Sequence, residues 1–221
     1  MTTSNRTGLD LPENTELLRA WQQLIVPVAP RQGSAAAIGQ ALLDSWGHPG
    51  RRYHDITHLR DVLDHIDELA DYAEDSAAVR LAAWYHDAVY LGQPDDEENS
   101  ARRAEAELAD LGLAPSLIAE VVRLVRLTST HDPLTGDRNG ETLCDADLAI
   151  LATPPDRYAT YVAAIRDEYT HVPDDMFRAG RANVLQALLD NPTVFRTPRA
   201  HQQWEASARL NLRQELDLLT G

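Results

Sequence analysis

The stretch that decides the fold is residues 55–73, DITHLRDVLDHIDELADYA. Ile56, Leu59, Val62, Leu63, Ile66 and Leu69 recur at steps of three and four, the period of a helix with one apolar face. The same period appears on both sides of it. Leu17, Leu18, Trp21, Leu24 and Ile25 predict an amphipathic helix, and residues 34–46 predict another that opens at Ser34 and stops at Gly47 and Pro49. Residues 76–90 follow, with Ser76 as N-cap, then 97–111, 115–128, 145–152, 155–170, 174–189 and 200–219. Pro115, Pro154, Pro155 and Pro173 fall at helix starts, where a missing N–H costs little. No stretch alternates with a period of two between hairpin turns, so a sheet is not expected. The longest expected loop is 129–142, STHDPLTGDRNGET, rich in turn formers. The expectation is one all-α domain over residues 1–221, a single helical bundle with a loosely ordered segment at 1–14.

Composition narrows the function. The 221 residues carry 35 acidic and 20 basic side chains, a net charge of −15 that argues against a nucleic-acid polymer held by phosphate neutralisation. All the basic residues are arginine. Without lysine there is no GxxxxGKS phosphate loop, no Schiff base and no Ser-Lys dyad. The single cysteine, Cys144, excludes an internal disulfide framework and any zinc site that needs two thiolates. No apolar signal core or run of 18 apolar residues occurs, so a cytoplasmic protein with no membrane partner is expected.

Polar side chains interrupt the apolar stripes at three places. In RRYHDITHL, residues 51–59, His58 starts the face that continues through Val62, Ile66 and Leu69, and His54 lies four residues before it. In AAWYHDAVY, residues 82–90, His86 shares a face with Val79, Ala82, Ala83 and Tyr90, with Asp87 beside it. In LCDADLAIL, residues 143–151, Asp145 and Asp147 stand in a third apolar run. An inward carboxylate is costly without positive charge, and one divalent metal would satisfy all three places. His58, His86, Asp87 and Asp147 would supply two nitrogens and two oxygens, a set suited to Mn, Mg, Fe or Co. Arg51, or Arg52 next to it, could hold phosphate oxygens through paired N–H donors.

The order His58, His86-Asp87, Asp147 resembles the H…HD…D pattern of the HD superfamily of metal-dependent phosphohydrolases. The flanking words RxYHxxxHL, WYHD, Ser100-Ala101, TxxH from Thr128 to His131, DADLAIL, IRDEY and EASARLNLRQEL are similar to a bacterial group of that superfamily, over a span from Trp21 to Leu216. The resemblance implies an all-helical HD-type bundle and one or two metal ions, with His58, His86, Asp87 and Asp147 as ligands. Asp147 is preferred because related enzymes set the last ligand in an Ala-Asp-x-Leu-like context; Asp145 is then an N-cap or an outer acceptor, though the two could exchange. YHxxxH is also similar to cyclic-nucleotide phosphodiesterases, which implies His54 as general acid. Glu97 matches the glutamate of an Asn-Glu pair in related sequences, with Asp96 in place of the asparagine, and would orient the attacking water or bind a second cation. His131 would reach the substrate phosphate or a second metal. The implied activity is hydrolysis of a small phosphorylated metabolite or nucleotide by metal-activated water. The alternatives are a noncatalytic metal- or nucleotide-binding HD module and a di-iron HD-type oxygenase; the oligomeric state is left open.

Overall fold

The computed structural model describes residues 12–221, and every regular element among them is helical. Of the segment expected to be loosely ordered, residues 1–11 lie outside the described ones, and Pro12 already opens the first helix. Helix α1 (Pro12–Ile25) packs on α2 (Ala35–Trp46) through Trp21, whose indole donates to the Ala35 carbonyl at 2.7 Å. Gly39 makes the approach feasible, because a Cβ there would stand 2.4 Å from the Trp21 ring. Helix α3 (Ile56–Leu69) is capped by Asp55, so His54 precedes the helix and does not share its face.

Helix α4 (Ser76–Tyr85) is capped by Asp75 instead of Ser76, and it ends five residues earlier than its apolar period predicts. The physical reason is competition for its carbonyls. The Trp84 carbonyl accepts the Trp46 indole N–H at 3.0 Å, and the Asp87 carbonyl accepts Arg51 at 2.8 Å. The Ser100 hydroxyl takes both the N–H and the carbonyl of Val89. Those groups would otherwise have carried the helix on.

Helices α5 (Asp96–Asp110) and α6 (Pro115–Leu127) pack on each other, and α6 also packs on α4. Helix α7 (Arg138–Asp147) starts inside the expected 129–142 loop. Asp137 caps it by accepting the Gly140 N–H at 3.0 Å. Gly140 reads as a turn former, yet it is needed inside the helix, since a Cβ would meet the Leu127 side chain at 2.7 Å. A 3₁₀ turn, Leu148–Ala152, leads to α8 (Pro155–Glu168), α9 (Asp174–Asp190) and α10 (Pro198–Thr220).

The described residues form two apolar clusters. One gathers Trp21, Trp46, Trp84, Tyr85 and the inner faces of α1–α7. The other holds Leu151, Tyr158, Tyr161, Leu185, Phe195 and Leu212, and Leu69 of α3 reaches into it. The polar residues of the 205–216 stretch brace this second cluster. Glu205 accepts the Val194 and Phe195 N–H groups, and Asn211 donates to the Leu151 and Thr153 carbonyls. Glu215 pairs with Arg181 at 2.7 Å and accepts the Tyr158 hydroxyl. No helix among the described residues is long and apolar enough to cross a membrane.

Breaking a buried ion pair leaves one charge without its partner. Arg181→Met is expected to lower unfolding free energy in urea by about 3–5 kcal/mol. Arg181→Met/Glu215→Leu should cost less than the sum of the single changes. Strict additivity would remove the brace assigned to this pair.

Candidate metal centre

Three elements deliver the side chains to the seam between the two clusters. His58 lies in the first turn of α3, where the Asp55 carboxylate accepts the Thr57 and His58 N–H groups at 2.8 and 3.2 Å. His86 and Asp87 directly follow α4, and Asp147 is the last residue of α7. The Trp46 ring of the first cluster lies 5.2 Å from the His86 ring. Tyr53, packed on the second cluster, lies 4.7 Å from the His58 ring.

The tips of these side chains converge. The two histidine Nε2 atoms are 3.3 Å apart, and Asp147 Oδ1 stands 3.1 Å from that of His58 and 3.6 Å from that of His86. Asp87 Oδ2 is 3.3 Å from His86 Nε2 and 4.0 Å from His58 Nε2. His58, His86 and Asp147 form a cluster that could hold a metal ion, and Asp87 flanks it. Asp145, the alternative to Asp147, points elsewhere. It accepts the N–H groups of Arg196 at 2.9 Å and Thr197 at 2.7 Å, tying α7 to the segment before α10.

The donor set suits a cation. His86 Nδ1 lies 2.9 Å from the Ala83 carbonyl, which can only accept, so Nδ1 carries hydrogen and Nε2 of the neutral ring presents its lone pair. Burial opposes charge on His86, yet Asp87 and Asp147 lift its pKa to about 9. Burial likewise favours a neutral Asp147, but His86, His131 and His58 hold its carboxyl well below the usual range. The centre therefore draws positive charge at neutral pH, and a divalent ion meets that demand through both Nε2 lone pairs.

His131 arrives from the end of α6 in a left-handed conformation, φ 49°, the one non-glycine positive φ among the described residues. Its Nε2 lies 2.8 Å from Asp147 Oδ2. The expected contact with substrate is thus, in this arrangement, a contact with the carboxylate, which keeps Oδ1 turned toward the two histidines.

His54 stands beside the centre, with its ring 5.6 Å from that of His58 and stacked at 4.3 Å on Tyr90. Its Nδ1 is 2.7 Å from Glu168 Oε2, which also accepts the Tyr90 hydroxyl. Glu168 Oε1 accepts the backbone N–H groups of Arg52, Tyr53 and His54. Burial would raise the Glu168 pKa, but the His54 bond and these N–H groups outweigh it and bring it to about 2. Burial also works against charge on His54, while Glu168 and Asp87 raise its pKa on balance. Glu168 is the residue the sequence reading left without a role. Its signal was the word IRDEY, whose glutamate finds its partners far along the chain, in the loop of residues 52–54 and in Tyr90.

Arg51 departs from the expected phosphate fork. Its guanidinium is buried, with NH1 on the His54 carbonyl and NH2 on the Asp87 carbonyl, both at 2.8 Å. It lies over the rings of Trp46 and Tyr90. Arg51 therefore clamps the His54 loop to the His86-Asp87 turn, while Arg52 donates to the Pro49 carbonyl. Glu97, in the first turn of α5, lines an open pocket of about 260 Å³ with Tyr90 and Tyr169. Burial raises its pKa, and Asp87, Asp96 and His131 are close enough to act on it. Comparison with protein-family models, curated proteins and solved structures finds no match to the chain.

Removing an outer hydrogen-bond partner typically costs about 10–100-fold in metal affinity. That loss is expected for His131→Ala in a Mn²⁺ titration, with partial recovery in His131→Asn, which tolerates the left-handed backbone. Unchanged affinity would remove His131 from the centre. For Glu168, a folded pKa of about 2 against an ordinary 4.5 means stability is present above 4.5 and lost as pH falls from there toward 2. Glu168→Gln should lack this acid limb in a series of unfolding curves against pH.

Proposed function

We propose that the chain is a metal-dependent phosphohydrolase acting on a small phosphate ester. The observation that carries this reading is the meeting of two imidazole nitrogens and a carboxylate oxygen, from α3, the end of α4 and α7, within 3.6 Å of one another. His58, His86 and Asp147 would hold Mn²⁺, Mg²⁺, Fe²⁺ or Co²⁺, with Asp87 as a fourth ligand. When bound, the ion supplies Lewis acidity, making water nucleophilic near neutral pH and drawing charge from a phosphoryl oxygen.

The chain's own residues supply the proton for the leaving group. Glu168 stays ionised, so it accepts the hydrogen on His54 Nδ1 and leaves Nε2 free to carry a second proton. As the water oxygen bonds to phosphorus and the ester P–O bond breaks, His54 Nε2 gives its proton to the departing oxygen. The proton lost by water passes to solvent, and His54 is recharged from solvent, so the products are an alcohol and phosphate. Arg51 holds the acid's loop against the Asp87 turn, which fixes the acid relative to the ligands. The HD-type architecture suggested by the motif order agrees with this division of roles.

The test is phosphate release from monoesters and diesters by metal-stripped protein refilled in turn with each of the four ions. His86→Ala and Asp87→Ala should lose both metal and turnover. His54→Gln should keep the ion and lose about 10²–10⁴ in kcat, the range of a general acid. Loss of the ion in His54→Gln, or no release with any ion, would overturn the proposal.

A further inference from the structure

The pocket beside His54 has a charge character that the hydrolase reading does not use. Its walls are Tyr90, Gly92, Gln93, Pro94, Glu97 and Tyr169, with Asp96 beneath. Tyr90 is the ring on which His54 stacks, and Tyr169 directly follows the Glu168 that holds His54 Nδ1, so the pocket adjoins the residues that position His54.

No basic side chain lines this pocket. Arg51 is near, but it is only 8% exposed and its NH1 and NH2 are occupied by backbone carbonyls. Glu97 forms no ion pair among the described residues, whereas Glu98, one position on, is paired with Arg102 and Arg126. Asp96 is buried to 4% exposure; its Oδ2 accepts the Leu91 and Gln93 N–H groups, and its Oδ1 has no hydrogen-bond partner. Two carboxylates, Glu97 without an ion pair and Asp96 with one unpartnered oxygen, thus line a small space together with two tyrosines. A volume of about 260 Å³ is under the roughly 300–1,000 Å³ of ordinary small-molecule sites, so its occupant is small.

We propose that this pocket is a leaving-group subsite for a small organic ammonium group. The cation would sit against the Glu97 carboxylate, between the tyrosine side chains. It rests on the hydrolase reading only for what the ammonium is attached to: the substrate is then a phosphate ester of an amino alcohol, its phosphate toward the metal and its amine in the pocket. The same carboxylates disfavour a leaving group that carries further phosphates, because like charges would be juxtaposed without an intervening cation.

The experiment titrates choline and ethanolamine into the metal-stripped full-length chain, each against its uncharged counterpart, 3,3-dimethylbutan-1-ol and ethylene glycol, with adenosine as rival. At least one ammonium should saturate the protein about tenfold more tightly than its counterpart, a preference that weakens with salt and is lost in folded Glu97→Gln. Mn²⁺ should not displace it. Equal binding of the uncharged counterpart, tighter binding of adenosine, displacement by Mn²⁺ or full preference retained in Glu97→Gln would each overturn the proposal. Phosphate release from phosphocholine and phosphoethanolamine is read separately on the Mn²⁺-loaded protein. Ammonium binding without release of phosphate from any ester would sink the hydrolase reading and leave the subsite standing. Release without ammonium preference would do the reverse.

Discussion

The structure depends on one electrostatic constraint: an ionised carboxylate, Asp147, sits among His58, His86 and His131 at the end of a buried helix. A carboxylate in low dielectric costs far more than a hydrogen bond returns unless positive charge stands next to it. Here that charge must come from protons on the imidazoles or from a cation between them. Much of the surrounding architecture follows from this. Asp55 starts α3 so that His58 points inward, and the Trp84 and Asp87 carbonyls are taken by other donors so that His86 and Asp87 leave the helix together. The left-handed backbone at His131 is a local cost that gains the second oxygen of Asp147 its partner.

The helices were legible in the sequence because their apolar faces are periodic and most of the structure is local. All-helical order follows directly from that period, and the described residues contain no strand. What periodicity could not supply was where a helix stops when its end is settled by tertiary donors. Residues 86–90 keep an apolar pattern, yet Arg51 and Ser100 take their backbone groups, and Trp46 takes the Trp84 carbonyl just before them. The start of α7 failed for the opposite reason. Arg138-Asn139-Gly140 has turn composition, but Gly140 is there for close packing against Leu127 and Asp137.

The same distinction runs through the centre. His58, His86, Asp87 and Asp147 were visible as polar breaks in apolar stripes, and the folded chain brings all four together. The resemblance preferred Asp147 but left exchange with Asp145 open, and only the fold places the Arg196 and Thr197 N–H groups on Asp145. Arg51 was misjudged because an arginine next to a polar cluster reads as a free fork, and sequence alone does not reveal that backbone carbonyls occupy it. Glu168 was missed because three of its partners, the N–H groups of residues 52–54, belong to the backbone, and the other two, His54 and Tyr90, lie far from it in the chain.

The position of the centre at a seam has a mechanical consequence. His58, His86 and Asp147 are carried by helices of the first cluster, whereas His54 is held by Glu168 at the end of α8, whose inner face belongs to the second. Tyr53 spans the boundary, with its ring 4.7 Å from His58 and 4.6 Å from Tyr161, and Tyr161 lies under Arg181 of the α9–α10 brace. Distance from the ligands to the candidate acid is therefore set by packing between the clusters, not within either one. Arg51 shortens that path: one guanidinium spans the His54 carbonyl and the Asp87 carbonyl, so the acid's loop stays in register with the ligand turn.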